Sequence, residues 1–236
     1  MKKLFLLVSV CLWGFLGFSQ TLKSDSVIRA LTIRQDSLLK VLKIRKDSTY
    51  RSSMHADSLK IRKEYAEKIK EEKFKAIAIY PVINAGTNSG VIPVKMVTEI
   101  PDPRMKYKLM FEITSSNPDS VAKERNFSLV EVARVINLHV AAGVPLKNII
   151  PVIVIHGSAL NAISTNNYYR EHYKIDNPNL DLISNLTKIG AKFIACAQAM
   201  VFFDFKTEEL LPLVKISLTA QTVLSSYRLK GFVKYW

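Results

Sequence analysis

The sequence has few cysteines, few glycines and a shortage of acidic residues. Its 236 residues include only two cysteines, Cys11 and Cys196, too few for a disulfide-stapled miniprotein or a four-cysteine zinc site. Lys and Arg number 34 against 20 Asp and Glu, a formal charge of +14, which favours anionic surfaces but says nothing about the fold. Because 48% of the residues are hydrophobic and 23% charged, general disorder is excluded and one core domain of ordinary size is expected.

The first 19 residues have the pattern of a secretory signal peptide. Two lysines precede an apolar run, residues 4–18, which is shorter than the about 20 residues needed to cross a bilayer core. Small residues stand three and one positions before a cut after Ser19, so we expect the mature chain to begin at Gln20. The protein should therefore be periplasmic or otherwise exported, with an uncleaved anchor as the alternative. Cys196 would then be the only cysteine, and no internal disulfide could form.

Residues 20–75 contain neither glycine nor proline and carry 15 Lys plus Arg against 8 Asp plus Glu. Asp-Ser pairs beginning at positions 25, 36, 47 and 57 recur at intervals of 11, 11 and 10. An 11-residue repeat is about 3.67 residues per turn, which keeps equivalent positions on one helical face. The segment therefore predicts a long charged helical arm. The aliphatic stripe of its first repeats comprises Val27, Ile28, Leu31, Leu38, Leu39 and Leu42.

Three roles fit this arm. It could be a solvated tether, a coiled-coil stalk in which the stripe associates, or a basic contact with an anionic polymer or lipid surface. Nucleic-acid binding is not expected, because aromatic residues are not interleaved with the basic ones and the signal peptide removes the chain from cytoplasmic DNA and RNA.

The rest of the chain changes in character. Prolines and glycines break every period in residues 76–105, which predicts an irregular or extended segment. From residue 106 to 236, strands alternate with helices, the pattern of a parallel, three-layer α/β domain. The predicted strands are 107–114, 149–155, 191–195, 214–218 and 232–236; the main predicted helices are 129–142, with Ser128 as its cap, 159–173, 176–188 and 219–230.

Ligands and reactive groups of parallel sheets gather at the carboxyl ends of the strands. His156 follows the second predicted strand and Cys196 follows the third. Because Cys196 also begins a predicted helix, unpaired backbone N–H groups and the helix dipole would favour its thiolate. The alternatives are a small buried hydrophobe at Cys196 and a structural hydrogen-bonding role for His156.

Several strings in this region resemble the DsrE/DsrF-like family, and in particular its secreted bacterial members. The resemblance spans roughly residues 79–236 and excludes the arm. It is carried by the order and spacing of Tyr80-Pro81-Val82-Ile83, residues 107–114, Val154-Ile155-His156-Gly157, Asn177-Pro178-Asn179-Leu180, residues 190–199 and Leu229-Lys230-Gly231-Phe232.

The resemblance implies a five-stranded parallel sheet between helices, assembled into a homo-oligomer. In the cytoplasmic sulfur-relay members, a cysteine after a central strand accepts sulfur as a persulfide, and Cys196 is its counterpart here. We expect His156 to assist proton movement, and Gly157, Ser158 and Gln198, which adjoin these two residues, to contact the ligand. A sulfur-carrier or thiol protein would be the partner, and no metal or cofactor is implied.

The predicted function is binding or transfer of sulfane sulfur, or thiol exchange, through Cys196, with activity that is sulfurtransferase-like at most. The alternative is a non-catalytic oligomeric binding or scaffolding module of the cell envelope, in which the fold assembles and the arm attaches or spaces it.

Overall fold

The computed structural model describes residues 29–30, 32–37 and 51–236, and the chain divides into two compact units after Ala78. The predicted signal peptide, residues 1–19, lies outside the described residues, as do all six side chains of the aliphatic stripe from Val27 to Leu42.

The described part of the arm is helical. Helix α1 spans Arg51–Ile77, and residues 29–30 and 32–37 are also helical. At a rise of 1.5 Å per residue, α1 is about 40 Å long. Its side chains from residue 59 onward are mostly exposed, and Lys75 forms an ion pair with Glu71 at 2.8 Å. Within the described residues no helix is long and apolar enough to cross a membrane. The predicted charged helix is confirmed for the described part of the arm.

The second unit is built on a sheet of five parallel strands in the order β4-β3-β2-β1-β5. This confirms the predicted α/β fold. Strand β2 is nearly continuous apolar sequence because it lies at the centre of the sheet, where both faces are covered. The strands are β1 Tyr107–Ile113, β2 Ile149–Ile155, β3 Lys192–Cys196, β4 Lys215–Ser217 and β5 Val233–Tyr235.

Five α-helices connect or follow these strands: α2 Phe127–Ala141, α3 Asn166–Tyr173, α4 Leu180–Lys188, α5 Ala197–Phe202 and α6 Ala220–Leu229. The cap of α2 is Asn126 and not the predicted Ser128. The Oδ1 atom of Asn126 accepts hydrogen bonds from the N–H groups of Ser128 (3.0 Å) and Leu129 (3.2 Å).

The predicted helix over residues 159–173 is broken in the structure. Residues 157–163 form 3₁₀ turns, and α3 begins only at Asn166. Between them, Ser164 pairs with Leu210 in an isolated antiparallel bridge, and the Thr165 N–H donates to the Glu209 carbonyl at 2.8 Å. A tertiary contact therefore takes the backbone groups that a continuous helix would have used.

The two faces of the sheet carry separate clusters of buried side chains. The first face, with Leu109, Phe111 and Ile113 of β1, packs against α2 and α4 and holds most of the core. The second face, with Met110 of β1, packs against α6 in a much smaller cluster. The buried members of this second-face cluster are Met110, Val152, Val154, Ile194, Cys196, Ala220 and Leu224.

Residues 79–91 pack onto α2 through Ile83 and Ala85 of the first-face cluster and through hydrogen bonds to one buried side chain. Asn137 of α2, which has no exposed surface, accepts from the N–H groups of Val82 and Ile83 (both 3.0 Å) through Oδ1. Its Nδ2 donates to the carbonyls of Ile83 (2.7 Å) and Ser89 (2.8 Å). The irregular segment thus satisfies its inner backbone groups without forming a strand.

Candidate functional site

Cys196 is the last residue of β3 and immediately precedes α5. Its side chain belongs to the second-face cluster, and the residue is only 4% exposed. The structure therefore places the cysteine that was predicted to be reactive at the carboxyl edge of the sheet, where it is buried. Burial of this kind fits both a small core hydrophobe and a nucleophile that is shielded until its site opens.

The helix that follows Cys196 stabilises a thiolate less than the sequence suggested. Helix α5 has six residues, so its dipole is small. One first-turn donor that was expected to be unpaired is used, because the Gln198 N–H donates to the carbonyl of Leu218 at 3.2 Å. The chemistry of the thiol therefore depends on its side-chain neighbours.

Two residues adjoin Cys196 by strand register: Ser217 of β4, which pairs with it directly, and His156, which follows β2. Ile155 of β2 pairs with Ala195 of β3, so the next position on each strand brings His156 beside Cys196. The His156 N–H donates to the Ile113 carbonyl at 3.0 Å, which continues the ladder one residue beyond β2. Because side chains alternate along a strand, His156 and Cys196 lie on the same, second face. The register thus sets the two backbone positions side by side, and a joint role for this pair stays a prediction.

A carboxylate that the sequence analysis did not single out completes this group. Glu112 of β1 binds His156 Nε2 through Oε1 at 2.9 Å, and its Oε2 forms an ion pair with the Lys234 ammonium of β5. The side chains of Glu112, His156 and Lys234 are 14%, 23% and 27% exposed, so the group is partly shielded from water. We call these three residues the second-face charge chain.

The charge chain keeps Glu112 ionised. Burial, the largest influence, acts to raise the pKa of Glu112, but hydrogen bonds from Lys234 and His156 together outweigh it and lower the pKa below its ordinary value of 4.5. At neutral pH the carboxylate therefore accepts from both partners. A neutral His156 then carries its proton on Nε2, an assignment that follows from the contacts.

The three predicted ligand-contacting residues have different surroundings. Gly157 has φ +63°, and a Cβ there would lie 2.5 Å from the Thr114 carbonyl oxygen, so the close passage of two loops explains the glycine. The Ser158 hydroxyl accepts from the Ser116 N–H at 3.0 Å and joins the same loops. Gln198 is exposed, and its side chain makes no hydrogen bond to the described residues.

The sequence contained a signal that could have identified Glu112 as a site residue. Glu112 is the single acidic residue in an otherwise apolar half-strand, Leu109–Ile113, and buried carboxylates in proteins are paired. Lys234 could not have been assigned as its partner, because that requires knowing that β5 lies beside β1. Across the part of the chain that the structure describes, no three His, Cys, Asp or Glu side chains are grouped as metal ligands would be.

Comparison with known proteins gives a family match. A family model described as DsrE/DsrF-like matches residues 108–232. No curated protein matches the chain. Among solved structures, the protein of unknown function MTH1491 from Methanobacterium thermoautotrophicum is 18% identical, with 55% of this chain and 97% of that chain covered and a TM-score of 0.40. The ychN protein from E. coli is 16% identical, with 55% and 99% covered and a TM-score of 0.38.

Proposed function

The chain belongs to the DsrE/DsrF-like family, and from this premise we propose that it is an exported member that binds or transfers sulfane sulfur, or exchanges thiols, through Cys196. The observation that supports the proposal most is the register of β2 and β3, which sets His156 beside Cys196 on the second face at the carboxyl edge of the sheet.

The chemistry needs a thiolate and a donor of neutral sulfur. The Cys196 thiolate attacks the terminal sulfur of an inorganic polysulfide; a Cys196–sulfur bond forms, and the adjacent sulfur–sulfur bond breaks. The products are a Cys196 persulfide anion and a polysulfide shorter by one sulfur, so charge and atoms balance. A thiol of a partner protein would take the sulfur by the reverse of this exchange.

Access to the thiol is part of the proposal, because Cys196 is 4% exposed. The second-face cluster that covers Cys196 is small, and α6 supplies its buried helical members, Ala220 and Leu224. Small clusters open locally at lower free energy than the whole domain unfolds. We therefore expect reagents to reach Cys196 in the folded protein, at a rate limited by local opening.

Mass spectrometry tests the function directly. The folded protein is exposed to inorganic polysulfide, and the wild type is compared with Cys196→Ser, which retains Cys11 wherever the wild type does. We expect mass increments of sulfur on the wild type, located to Cys196, and none at this position in the variant. If Cys196 resists polysulfide until the protein is unfolded in denaturant, the proposal is wrong.

Export is tested separately from the chemistry. The amino-terminal sequence of protein recovered from the producing cell should begin at Gln20 if the signal peptide is cleaved as proposed. Replacing both Lys2 and Lys3 with Glu should leave uncleaved precursor behind. An intact Met1 on protein outside the cytoplasm would instead favour the uncleaved anchor.

A second candidate function, an oligomeric binding or scaffolding module, is favoured by exposed apolar side chains at the β4 edge. Phe202 is 81% exposed and Leu218 70%, and the bond from Gln198 to the Leu218 carbonyl ties their elements together. Exposed apolar groups of this size mark interaction surfaces. We call this surface the apolar edge: Val201, Phe202, Phe203, Ile216 and Leu218.

Sedimentation of Phe202→Ser against Leu229→Ser tests this second candidate. Leu229 is 90% exposed but lies on α6, away from the apolar edge, so it is a matched control. We expect the wild type and Leu229→Ser to sediment as an oligomer and Phe202→Ser to dissociate. If attachment of the protein to the cell envelope is unaltered in Cys196→Ser and is lost when residues 21–73 are deleted, the scaffold is favoured over the sulfur chemistry.

A further inference from the structure

The charge chain on the second face has more fixed contacts than a single ion pair has. Its members come from three adjacent strands, β5, β1 and β2, and each Glu112 oxygen has its own partner. Lys234 holds one oxygen, which fixes the rotation of the carboxylate, and the other oxygen faces His156 Nε2. The imidazole is thereby held in one orientation and, when neutral, in one tautomer.

The other ring nitrogen of His156 is left over. Nδ1 has no hydrogen-bond partner among the described residues. With the proton on Nε2, Nδ1 is an acceptor, and the residue stands beside Cys196 by register. A base, its orienting carboxylate and a nucleophile are thus in sequence across the sheet, although Glu112 touches no reacting atom.

We infer that Glu112 is a positioning residue for the reaction at Cys196: it holds His156 with Nε2–H bound to the carboxylate and Nδ1 free to accept the thiol proton. The inference rests on the proposed function and deepens it. In the step, local opening brings the thiol within hydrogen-bond reach of His156 Nδ1, the Cys196 S–H bond breaks, its proton passes to Nδ1, and the electron pair stays on sulfur. The resulting thiolate attacks the polysulfide as described above, and the imidazolium later returns the proton to the released polysulfide.

The groups that face His156 from each packed element are few. Strand β1 contributes Glu112, β3 contributes Cys196, and β5 contributes Lys234 through Glu112. Among the α6 residues packed on this face, only Tyr227 is titratable. Glu112 should stay ionised over the pH range of the assay, because its contacts with Lys234 and His156 lower its pKa.

Substitution of Glu112 by glutamine makes a sharp prediction because of Lys234. The ammonium can only donate, so the amide must turn its oxygen to Lys234 and its NH₂ to His156 Nε2. Nε2 then has to accept, and the imidazole proton moves to Nδ1. Glu112→Gln should therefore reverse the tautomer and remove the acceptor from the Cys196 side, while the shape of the side chain is kept.

Rates of persulfide formation at Cys196, with inorganic polysulfide as the probe, test the chemical consequence. We expect Glu112→Gln to be about tenfold slower near pH 7, because a thiol without a base is only a few per cent ionised there. The rates should converge at alkaline pH, where thiols ionise without help. The matched control is Glu131→Gln, another paired carboxylate, which binds Arg134 on α2 and should leave the rate unchanged.

A second pair of variants separates positioning from plain stabilisation. Lys234→Met should keep the tautomer and most of the rate, because the Glu112 carboxylate can still only accept. Adding Lys234→Met to Glu112→Gln should restore part of the rate, because the amide is then free to turn its oxygen to His156. If Glu112 mattered only as an ion pair, the double variant would be no faster than Glu112→Gln.

The tautomer itself is measured by nitrogen-15 NMR of labelled histidine, which needs no activity. We expect an Nε2–H signal for His156 in the wild type and in Lys234→Met, and an Nδ1–H signal in Glu112→Gln; thermal unfolding checks that each variant is folded. An unchanged tautomer and an unchanged pH–rate profile in Glu112→Gln would overturn the inference while leaving the proposed function intact. Absence of any persulfide on the wild type would instead reject the proposed function.

Discussion

The two faces of the sheet differ in what they bury. The first face packs almost entirely aliphatic and aromatic side chains from β1, β2 and β3 against α2 and α4. The second face has a small apolar cluster under α6, and at its carboxyl end it places Cys196, His156 and Glu112. Most of the core and the proposed chemistry therefore lie on opposite sides of the same strands, and a change on one face should leave the other largely untouched.

This separation follows from the period of a strand. Phe111 and Glu112 are neighbours in sequence, yet Phe111 is wholly buried in the first-face core and Glu112 lies in the charge chain. Alternation lets one strand serve both purposes without placing a carboxylate in the main core. The partial exposure of His156 and Lys234 lets water share in solvating the charges, which a fully closed face would prevent.

The largest effect on stability is expected for Phe111→Ala, a change on the first face. Phe111 has no exposed surface and packs against the rings of Tyr235 and Trp236. We expect a loss of about 3–5 kcal/mol in the free energy of unfolding, from lost burial and the cavity left behind. Denaturant unfolding measures it, with Phe127→Ala, half exposed at the start of α2, as the control. A loss no greater than that of the control would show that the first face does not dominate stability.

A smaller effect is expected for Asn137, the buried asparagine of α2 that holds the backbone of residues 82, 83 and 89. In Asn137→Ala, the buried backbone groups of residues 82, 83 and 89 lose their partners, which should cost about 2–3 kcal/mol. Hydrogen exchange should then accelerate in residues 79–91. Asn167→Ala, an exposed asparagine on α3, is the matched control and should leave both quantities unchanged.

The smallest expected effect is a pH-dependent difference in stability between Glu112→Gln, on the second face, and the wild type. Because the folded pKa of Glu112 is below its ordinary value of 4.5, its contribution to stability is present above that value and is lost as pH falls through the folded pKa. Glu112→Gln should be about 1–2 kcal/mol less stable than the wild type near pH 7. That difference should shrink below pH 4.5. Glu71→Gln, which removes an ion pair with Lys75 on the exposed arm, should cost little stability, because exposed ion pairs are weak. A pH-independent difference for Glu112→Gln would contradict the assignment.

The sequence was sufficient for features that are local and repetitive. The contiguous apolar run in β2, the alternation of strands with helices and the glycine-free basic arm each reflect a period that neighbouring residues impose on one another. The parallel sheet and the arm were predicted from these patterns. The expectation that His156 and Cys196 lie at one edge also came from the sequence, since parallel strands end at a common edge.

Features that depend on distant pairing were missed. Asn126 caps α2 in a loop that Asn179 holds from 53 positions away, whereas the sequence shows two polar residues equally able to cap. The bridge from Ser164 to Leu210 interrupts a segment whose local pattern is helical. The partner of Glu112 could not be identified for the same reason, because Lys234 becomes its neighbour only through the strand order of the finished sheet.

That strand order has a consequence for how the domain folds. The pairing of β1 with β5 joins Leu109 to Val233, and most of the second unit lies between them in sequence. Closing so long a loop is entropically costly until the intervening chain is compact, so contacts of this range form late. We expect the Lys234 ammonium to reach Glu112 only in the last steps of folding. A partly folded chain would then hold the cysteine without its charge chain, and the arrangement proposed to be reactive would appear together with the native topology.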